Sequence, residues 1–152
     1  MSAIEPNSEM AQLIAEKDWS TTPVGAAHSW SPSLRTVLNL LLANRFPLLL
    51  WWGPGYVQFY NDAYRPIPGA KHPKSLGQAA SEGWAEIWHV LKPLIDTPFK
   101  GGPPTWIEDF ELELRRAEFP DETHFTVAYS PVPDETAPNG VLHTAVHLGC
   151  EE

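Results

Sequence analysis

The hydrophobic pattern of this chain changes its period along the sequence, and the order of these changes limits the fold more than any other feature. In residues 31–44, apolar side chains recur every three or four positions behind Ser31, which predicts an amphipathic helix with a capped start. Two short runs of apolar and aromatic residues follow in 47–60, on either side of Gly53. Such runs around a glycine-rich turn predict a β-hairpin.

The helical period returns in residues 84–95, where Pro93 is expected to kink a helix that Pro98 ends. After this helix the pattern alternates with period two, which is typical of half-buried strands. The Asn139-Gly140 pair predicts the turn that leads into the last strand. Three strands are predicted, over 106–114, 123–132 and 141–148. Two strands, then helices, then three strands indicate an α+β fold.

The first 30 residues are expected to form an extension of this unit. Ser8 can cap a short helix whose apolar residues Met10 and Ile14 lie on one face. This stripe is predicted to be exposed and available for dimerisation. A connector with proline, glycine and hydroxyl residues follows. The predicted division is therefore 1–30, the N-terminal helix and connector, and 31–149, the main domain with its leading helix 31–44.

The charge balance argues against some partners. The chain has 10 Lys and Arg against 19 Asp and Glu, which is a formal net charge of −9. Nucleic acids and anionic membranes need a basic patch, so neither is an expected partner. The most apolar stretch, 37–52, is broken by Asn44 and Arg45 and falls short of the roughly 18 residues of a spanning helix. We expect no membrane insertion and a cytoplasmic location.

Several runs of residues together resemble one family. They are 18–25 (DWSTTPVG), 45–54 (RFPLLLWWGP), 59–73 (FYNDAYRPIPGAKHP), 84–88 (WAEIW) with Pro93-Leu94, and 129–132 (YSPV). The resemblance covers nearly the whole chain and is to the N-terminal PAS domain of many bacterial sensor histidine kinases. It implies a five-stranded antiparallel sheet in the spatial order 2-1-5-4-3, with helices on one face. It also implies that Asn61 caps the first helix after strand two.

The resemblance implies a sensory function, as the input module of a cytoplasmic two-component histidine kinase. A small-molecule ligand or a partner would bind between helices and sheet, and a conformational or dimer change would relay the event. The expected partners are a second copy of the chain, forming a homodimer, and a downstream kinase or transmitter module. Glu108 is a pocket candidate because period two places it on the face of Phe110. All candidate pocket residues are Trp52, Tyr60, Asn61, Tyr64, Trp84, Trp88, Glu108 and Phe110.

No fixed cofactor and no metal site are expected. Some PAS domains hold haem through a histidine on the long helix, but helical geometry puts His89 opposite the apolar stripe. Flavin photochemistry needs a cysteine on the helix after strand two, and the one cysteine, Cys150, lies at the other end of the chain. His143 and His147 would stand about 13 Å apart on a strand, too far to share a metal ion. Both are expected to be exposed or at an edge.

The sequence contains no catalytic motif, so the chain is not expected to be an enzyme. Asp109, Glu111 and Glu113 alternate along a predicted strand and are expected on its solvated face. Two alternatives remain open. One is a ligand-free PAS-fold module for dimerisation or protein interaction, with a filled core. The other is a small cone-shaped α+β enzyme, isomerase-like, whose inward acid would be Glu108.

Overall fold

The computed structural model describes residues 8–114, 121–135 and 137–147. Its helices are α1 Glu9–Glu16, α2 Pro32–Ala43, α3 Ala80–Gly83 and α4 Trp88–Phe99. Its strands are β1 Leu48–Trp52, β2 Val57–Tyr60, β3 Thr105–Leu114, β4 Asp121–Asp134 and β5 Ala137–His147. Short 3-10 turns lie at Trp19–Thr21, Ala27–Ser29, Gly69–Lys71 and Ala85–Ile87. None of the described helices has the length and apolar character needed to cross a bilayer.

The five strands form one antiparallel sheet in the order β2-β1-β5-β4-β3. This confirms the predicted α+β fold and its predicted strand order. The first two strands form the expected hairpin, in which Trp51 lies opposite Gln58. On its other side β1 pairs with β5, where Trp51 lies opposite Val141. Because paired residues point to the same side of a sheet, this register determines which side chains meet.

Both faces of the sheet are covered at β1, so every residue of this strand is buried. Trp51 lies on what we call the cavity face, which packs against the segment that contains α3 and the start of α4. Leu50 and its partner Phe59 point to the opposite face. There Trp19 stacks on Phe59, with 4.7 Å between the ring centroids. The N-terminal extension therefore completes the core on the face away from the cavity.

The apolar stripe of α1 belongs to this core, and the prediction that it is exposed is wrong. Met10 and Ile14 are fully buried. Ser8 caps the helix as predicted, by accepting a hydrogen bond from the backbone N–H of Ala11 at 3.1 Å. The Ser8 hydroxyl also donates to Asp62 after β2, at 2.5 Å. This contact holds α1 against its own chain, so the stripe is unavailable for dimerisation. The division of the chain at residue 31 stays a prediction.

The long helix begins four residues later than its hydrophobic period predicts, at Trp88 rather than Trp84. The reason is local, because Trp84 adopts φ −120° and ψ 40°, outside the helical region. Ile87 lies in a separate 3-10 turn and is still buried. At the other end Pro98 is inside the helix, which continues to Phe99. The period therefore identified the buried side chains correctly and the helix start incorrectly.

The Asn139-Gly140 pair does not form the predicted turn. The chain reverses between Asp134 and Ala137, which pair with each other. Gly140 lies inside β5, opposite Trp52 of β1. A Cβ atom at this position would come within 2.5 Å of Cε3 of Trp52. The glycine is therefore needed for the close approach of β5 to an indole ring.

Replacing Gly140 by alanine is expected to lower the free energy of unfolding by about 1–3 kcal/mol, because the new methyl group must displace the Trp52 ring. Gly55→Ala is the matched control, since its Cβ would meet only Pro23, at 3.9 Å. That control is expected to stay within about 0.5 kcal/mol of the wild type. Urea denaturation with unchanged m-values measures both. An equal loss in the two variants would contradict the steric role of Gly140.

Candidate functional site

A cavity lies between the cavity face of the sheet and the helical segment that leads into α4. Its floor contains Trp51, Tyr129 and His143, which come from β1, β4 and β5. Trp84 and Leu91 line it from the helical side. The cavity volume is about 20 Å³. A buried site of this size has room for roughly one or two water-sized molecules.

Three aromatic rings stack along the floor of the cavity. His143 stacks on Trp51 and on Tyr129, with centroid distances of 5.2 Å and 4.7 Å, and the Trp51 and Tyr129 rings are themselves 5.8 Å apart. The stack follows from the register, because His143 pairs directly with Tyr129 across β5 and β4. Tyr64 approaches the edge of the imidazole, and its hydroxyl lies 3.5 Å from Nδ1. His143 is thus held in place by three aromatic neighbours.

Three polar atoms in the cavity wall have no hydrogen-bond partner among the residues that the structure describes. They are Nε1 of Trp84, the hydroxyl of Tyr129 and Nε2 of His143. The three residues are 3%, 0% and 6% exposed, and all of them line the same cavity. An unsatisfied buried polar group costs about 1–3 kcal/mol. The residues that line the cavity therefore carry three polar atoms whose hydrogen-bonding capacity is unused.

The described part of the cavity wall carries no charge near neutral pH. Burial lowers the pKa of His143 to about 3, so its ring is neutral. Burial also raises the pKa of Tyr64 and of Tyr129 above the ordinary value, so both hydroxyls keep their protons. Asp, Glu, Lys and Arg are absent from the described lining residues. The site can offer hydrogen bonds and apolar contact without charge.

A chain of contacts connects the cavity to α1. Tyr60 packs against the cavity-lining Tyr64, with 5.9 Å between ring centroids. The Tyr60 hydroxyl lies 2.6 Å from Nδ1 of His72. Nε2 of His72 lies 2.9 Å from a carboxylate oxygen of Glu9, whose other oxygen accepts a hydrogen bond from Arg65 at 2.6 Å. The path ends at Glu9, the first residue of α1.

Asn61 organises the backbone beside the cavity. Its Oδ1 accepts hydrogen bonds from the backbone N–H groups of Leu48 and Tyr64, at 3.1 Å and 3.0 Å. Its Nδ2 donates toward three backbone carbonyl oxygens at 2.8–3.1 Å, those of Leu41, Asn44 and Phe46. Residues 62–68 form turns where the resemblance implied a helix. The side chain caps those turns and ties them to the end of α2 and the start of β1.

Four of the eight predicted pocket residues lie at or beside the cavity. Tyr64 and Trp84 line it. Tyr60 and Asn61 do not line it, but both contact Tyr64, through the ring and through the backbone N–H. These four come together because the turns after β2 and the segment before α4 pack on the same part of the sheet.

Three further predicted residues lie elsewhere. Trp52 points to the face opposite the cavity, because it alternates with Trp51. Trp88 packs edge to face on Tyr56, with 6.1 Å between ring centroids. Phe110 packs against the core on the cavity face without lining the cavity.

Glu108 points away from the cavity because β3 contains a β-bulge. The register against β4 shifts between Ile107 and Phe110, and Asp109 adopts φ 49°. The extra residue reverses the alternation, so Trp106 and Glu108 are both exposed. Their side chains meet where Nε1 of Trp106 donates to Glu108 at 3.2 Å. The prediction that Glu108 shares the face of Phe110 is therefore wrong.

The three floor residues Trp51, Tyr129 and His143 are not among the predicted pocket residues. The prediction that His143 is exposed or at an edge is wrong, because this residue is 6% exposed. The one signal in the sequence is that His143 lies two positions after Val141 and so shares its face of the strand. This does not say which face is buried.

The side chain of His147 and all of Cys150 lie outside the described residues. His89 is exposed and does not line the cavity. In the described ranges, no group of three His, Cys, Asp or Glu side chains could hold a metal ion.

Solved structures with this architecture are PAS and LOV proteins. The LOV protein of Rhodobacter sphaeroides superposes with a TM-score of 0.59 at 16% identity, over 77% of this chain and 67% of that chain. The PAS domain of BvgS from Bordetella pertussis gives 0.58 at 15% identity, over 76% and 86%. A sensory box sensor histidine kinase from Vibrio cholerae gives 0.50 at 19% identity, over 76% and 90%. No family model and no curated protein matches the sequence.

Proposed function

We propose that this chain, which has the PAS fold, is a sensory domain and the input module of a cytoplasmic two-component histidine kinase. The observation that carries the proposal is the buried cavity, whose lining residues hold three polar groups without a hydrogen-bond partner in the described part of the chain. A cavity of this kind gives a small ligand a defined place inside the domain. The fold shared with a sensory box sensor histidine kinase supports the kinase context.

Occupancy of the cavity is proposed to act on β5 and α1. His143 belongs to β5, so an occupant that contacts its ring acts directly on the last strand. Tyr64 leads through Tyr60 and His72 to Glu9 at the start of α1. A ligand that binds one arrangement of these side chains more tightly shifts the population toward it. In a homodimer, movement of these two elements changes the geometry passed to a downstream kinase.

Joining the full chain to a histidine kinase core tests this proposal through the rate of autophosphorylation. Deleting the chain, or replacing Tyr129 by phenylalanine in the cavity wall, is expected to change that rate about fivefold or more. Tyr56→Phe is the matched control, because the Tyr56 hydroxyl donates to Asp96 outside the cavity at 2.5 Å. An unchanged rate after both the deletion and Tyr129→Phe would refute the sensory function.

Replacing Glu9 by glutamine is expected to loosen α1. The substitution removes the charge that pairs with Arg65 and approaches His72, and the Glu9 side chain is 45% exposed. A contact this exposed contributes about 0.5–1 kcal/mol. Amide hydrogens of α1 should therefore exchange about two to five times faster. Hydrogen-exchange mass spectrometry measures these rates. The control is Glu16→Gln, which changes an exposed residue at the other end of α1. Equal exchange rates in the two variants would contradict the role of Glu9.

A second candidate function is a protein-interaction module with no ligand. The cavity volume of about 20 Å³ supports it, because ligand pockets usually measure several hundred Å³. Phe46 and Trp106 are 63% and 65% exposed and offer apolar contact to a partner. Native mass spectrometry of the full chain, with and without added small molecules, separates the two candidates. Neither candidate function includes a catalytic step.

A further inference from the structure

The cavity also indicates which chemical class of ligand enters it. We propose that it selects small uncharged molecules that both accept and donate hydrogen bonds, with neutral amides as the model class, and that it rejects ions of the same size. This inference rests on the proposed function only in treating the cavity as the input site. Three properties support this inference: the volume of the cavity, the charge of its wall, and the donor or acceptor character of its free polar atoms.

Size excludes large ligands. The cavity measures about 20 Å³, which is room for a ligand of roughly one to three non-hydrogen atoms. The stacked rings of Trp51, His143 and Tyr129 occupy the floor with centroid distances of 4.7–5.8 Å. A flat cofactor would have to displace this stack and its packing contacts.

The absence of charged groups from the described wall excludes ions. The described lining residues include no carboxylate, ammonium or guanidinium group that could pair with a buried ion. The imidazole of His143 is neutral near pH 7, so it offers no countercharge. Moving an unpaired ion into such a site costs several kcal/mol. A neutral molecule avoids this cost.

The direction of the hydrogen bonds defines the ligand further. Nε1 of Trp84 can only donate, so the ligand must carry an acceptor. The Tyr129 hydroxyl can donate and accept, and Nε2 of His143 does one or the other according to its tautomer. A carbonyl oxygen next to an N–H group supplies the acceptor and the donor that these atoms call for, and formamide is a small molecule that has both.

Formamide and formate are a matched pair of probes, because they have nearly the same shape and differ in charge. The indole N–H resonance of Trp84, assigned with Trp84→Phe, reports binding to the full chain. Formamide is expected to shift it saturably with a Kd in the millimolar range, as suits a ligand of about three atoms. Formate is expected to leave it unchanged. Tyr129→Phe should weaken formamide binding about fivefold or more, and Tyr56→Phe should not weaken it.

Two results would overturn the inference. One is formate binding as tight as formamide binding, and the other is no saturable shift with formamide up to about 100 mM. The kinase assay is independent of both. If the chain binds formamide but does not regulate a kinase core, only the proposed sensory function is refuted. If the chain regulates the core but does not bind formamide, only the proposed ligand class is refuted.

Discussion

Acidification from pH 6.5 to pH 4.5 is expected to lower the free energy of unfolding by about 2 kcal/mol through His143 alone. Burial holds the pKa of this imidazole at about 3, against 6.5 for an ordinary histidine. Below pH 6.5, His143 therefore binds a proton in the unfolded chain but stays neutral in the folded chain. The contribution of His143 to stability is complete well above pH 6.5. As the pH decreases below 6.5, the loss approaches about 1.4 kcal/mol per pH unit until the pH nears 3.

His143→Phe isolates this effect, because phenylalanine keeps a ring against Trp51 and Tyr129 but cannot take up a proton. Its free energy of unfolding should lose the part of the pH dependence that His143 supplies. His28→Gln replaces an exposed histidine that does not line the cavity and is the matched control. Urea unfolding followed by tryptophan fluorescence measures all three proteins, and the window stops at pH 4.5 because carboxyl groups protonate near pH 4. Equal slopes for the wild type and His143→Phe would show that His143 is not a buried neutral group.

Asn61→Ala is expected to cost about 3–5 kcal/mol of unfolding free energy, the largest loss we expect from a single side chain outside the cavity wall. The side chain is 1% exposed, so water cannot replace its hydrogen bonds. The substitution removes the Oδ1 acceptor of the Leu48 and Tyr64 N–H groups. It also leaves the carbonyl of Leu41, in the last turn of α2, without the Nδ2 donor.

Two neighbouring substitutions sharpen this test. Asn61→Asp keeps the acceptor but turns a second oxygen toward carbonyl oxygens, so it should destabilise the fold at least as much as alanine. Asn44→Ala removes one hydrogen bond, from the exposed backbone N–H of Phe46, and should cost less than about 1 kcal/mol. Thermal unfolding should rank Asn44→Ala well above both Asn61 variants in Tm. A similar Tm for Asn44→Ala and Asn61→Ala would disprove the organising role of Asn61.

The structure follows the sequence pattern most closely where a single element carries its own signal. Helix α2 starts behind Ser31, whose hydroxyl accepts from the N–H of Leu34 at 3.2 Å, as the Ser-Pro start predicts. Its buried face, which includes Leu38 and Leu41, follows the spacing of the apolar residues. The β1–β2 hairpin is also where the apolar runs around Gly53 predict it. In each case the residues that determine the structure lie within a few positions of one another.

Side chains depart from the positions that the sequence pattern predicts where the backbone interrupts a regular repeat. Trp84 leaves the helical region, so the period of residues 84–95 spans two short turns and a helix. Asp109 takes a positive φ, so every side chain before it in β3 points to the face opposite the one that alternation predicts. This bulge alone explains why Glu108 does not lie on the cavity face, where alternation predicts it. A pattern of residue types does not reveal one irregular dihedral angle, because the packing around it sets that angle.

By itself the sequence determined the fold class, the order of the strands through the family resemblance, and most of the apolar faces. These depend on local hydrophobic periods and on motifs that are continuous in the chain. Only the tertiary structure decided that α1 is buried and that His143 stacks inside the cavity. The hydroxyl of Tyr64 and the ring of His143 meet across 79 positions of sequence. Such a contact depends on the register of β5 between β1 and β4, and register is a property of the assembled sheet.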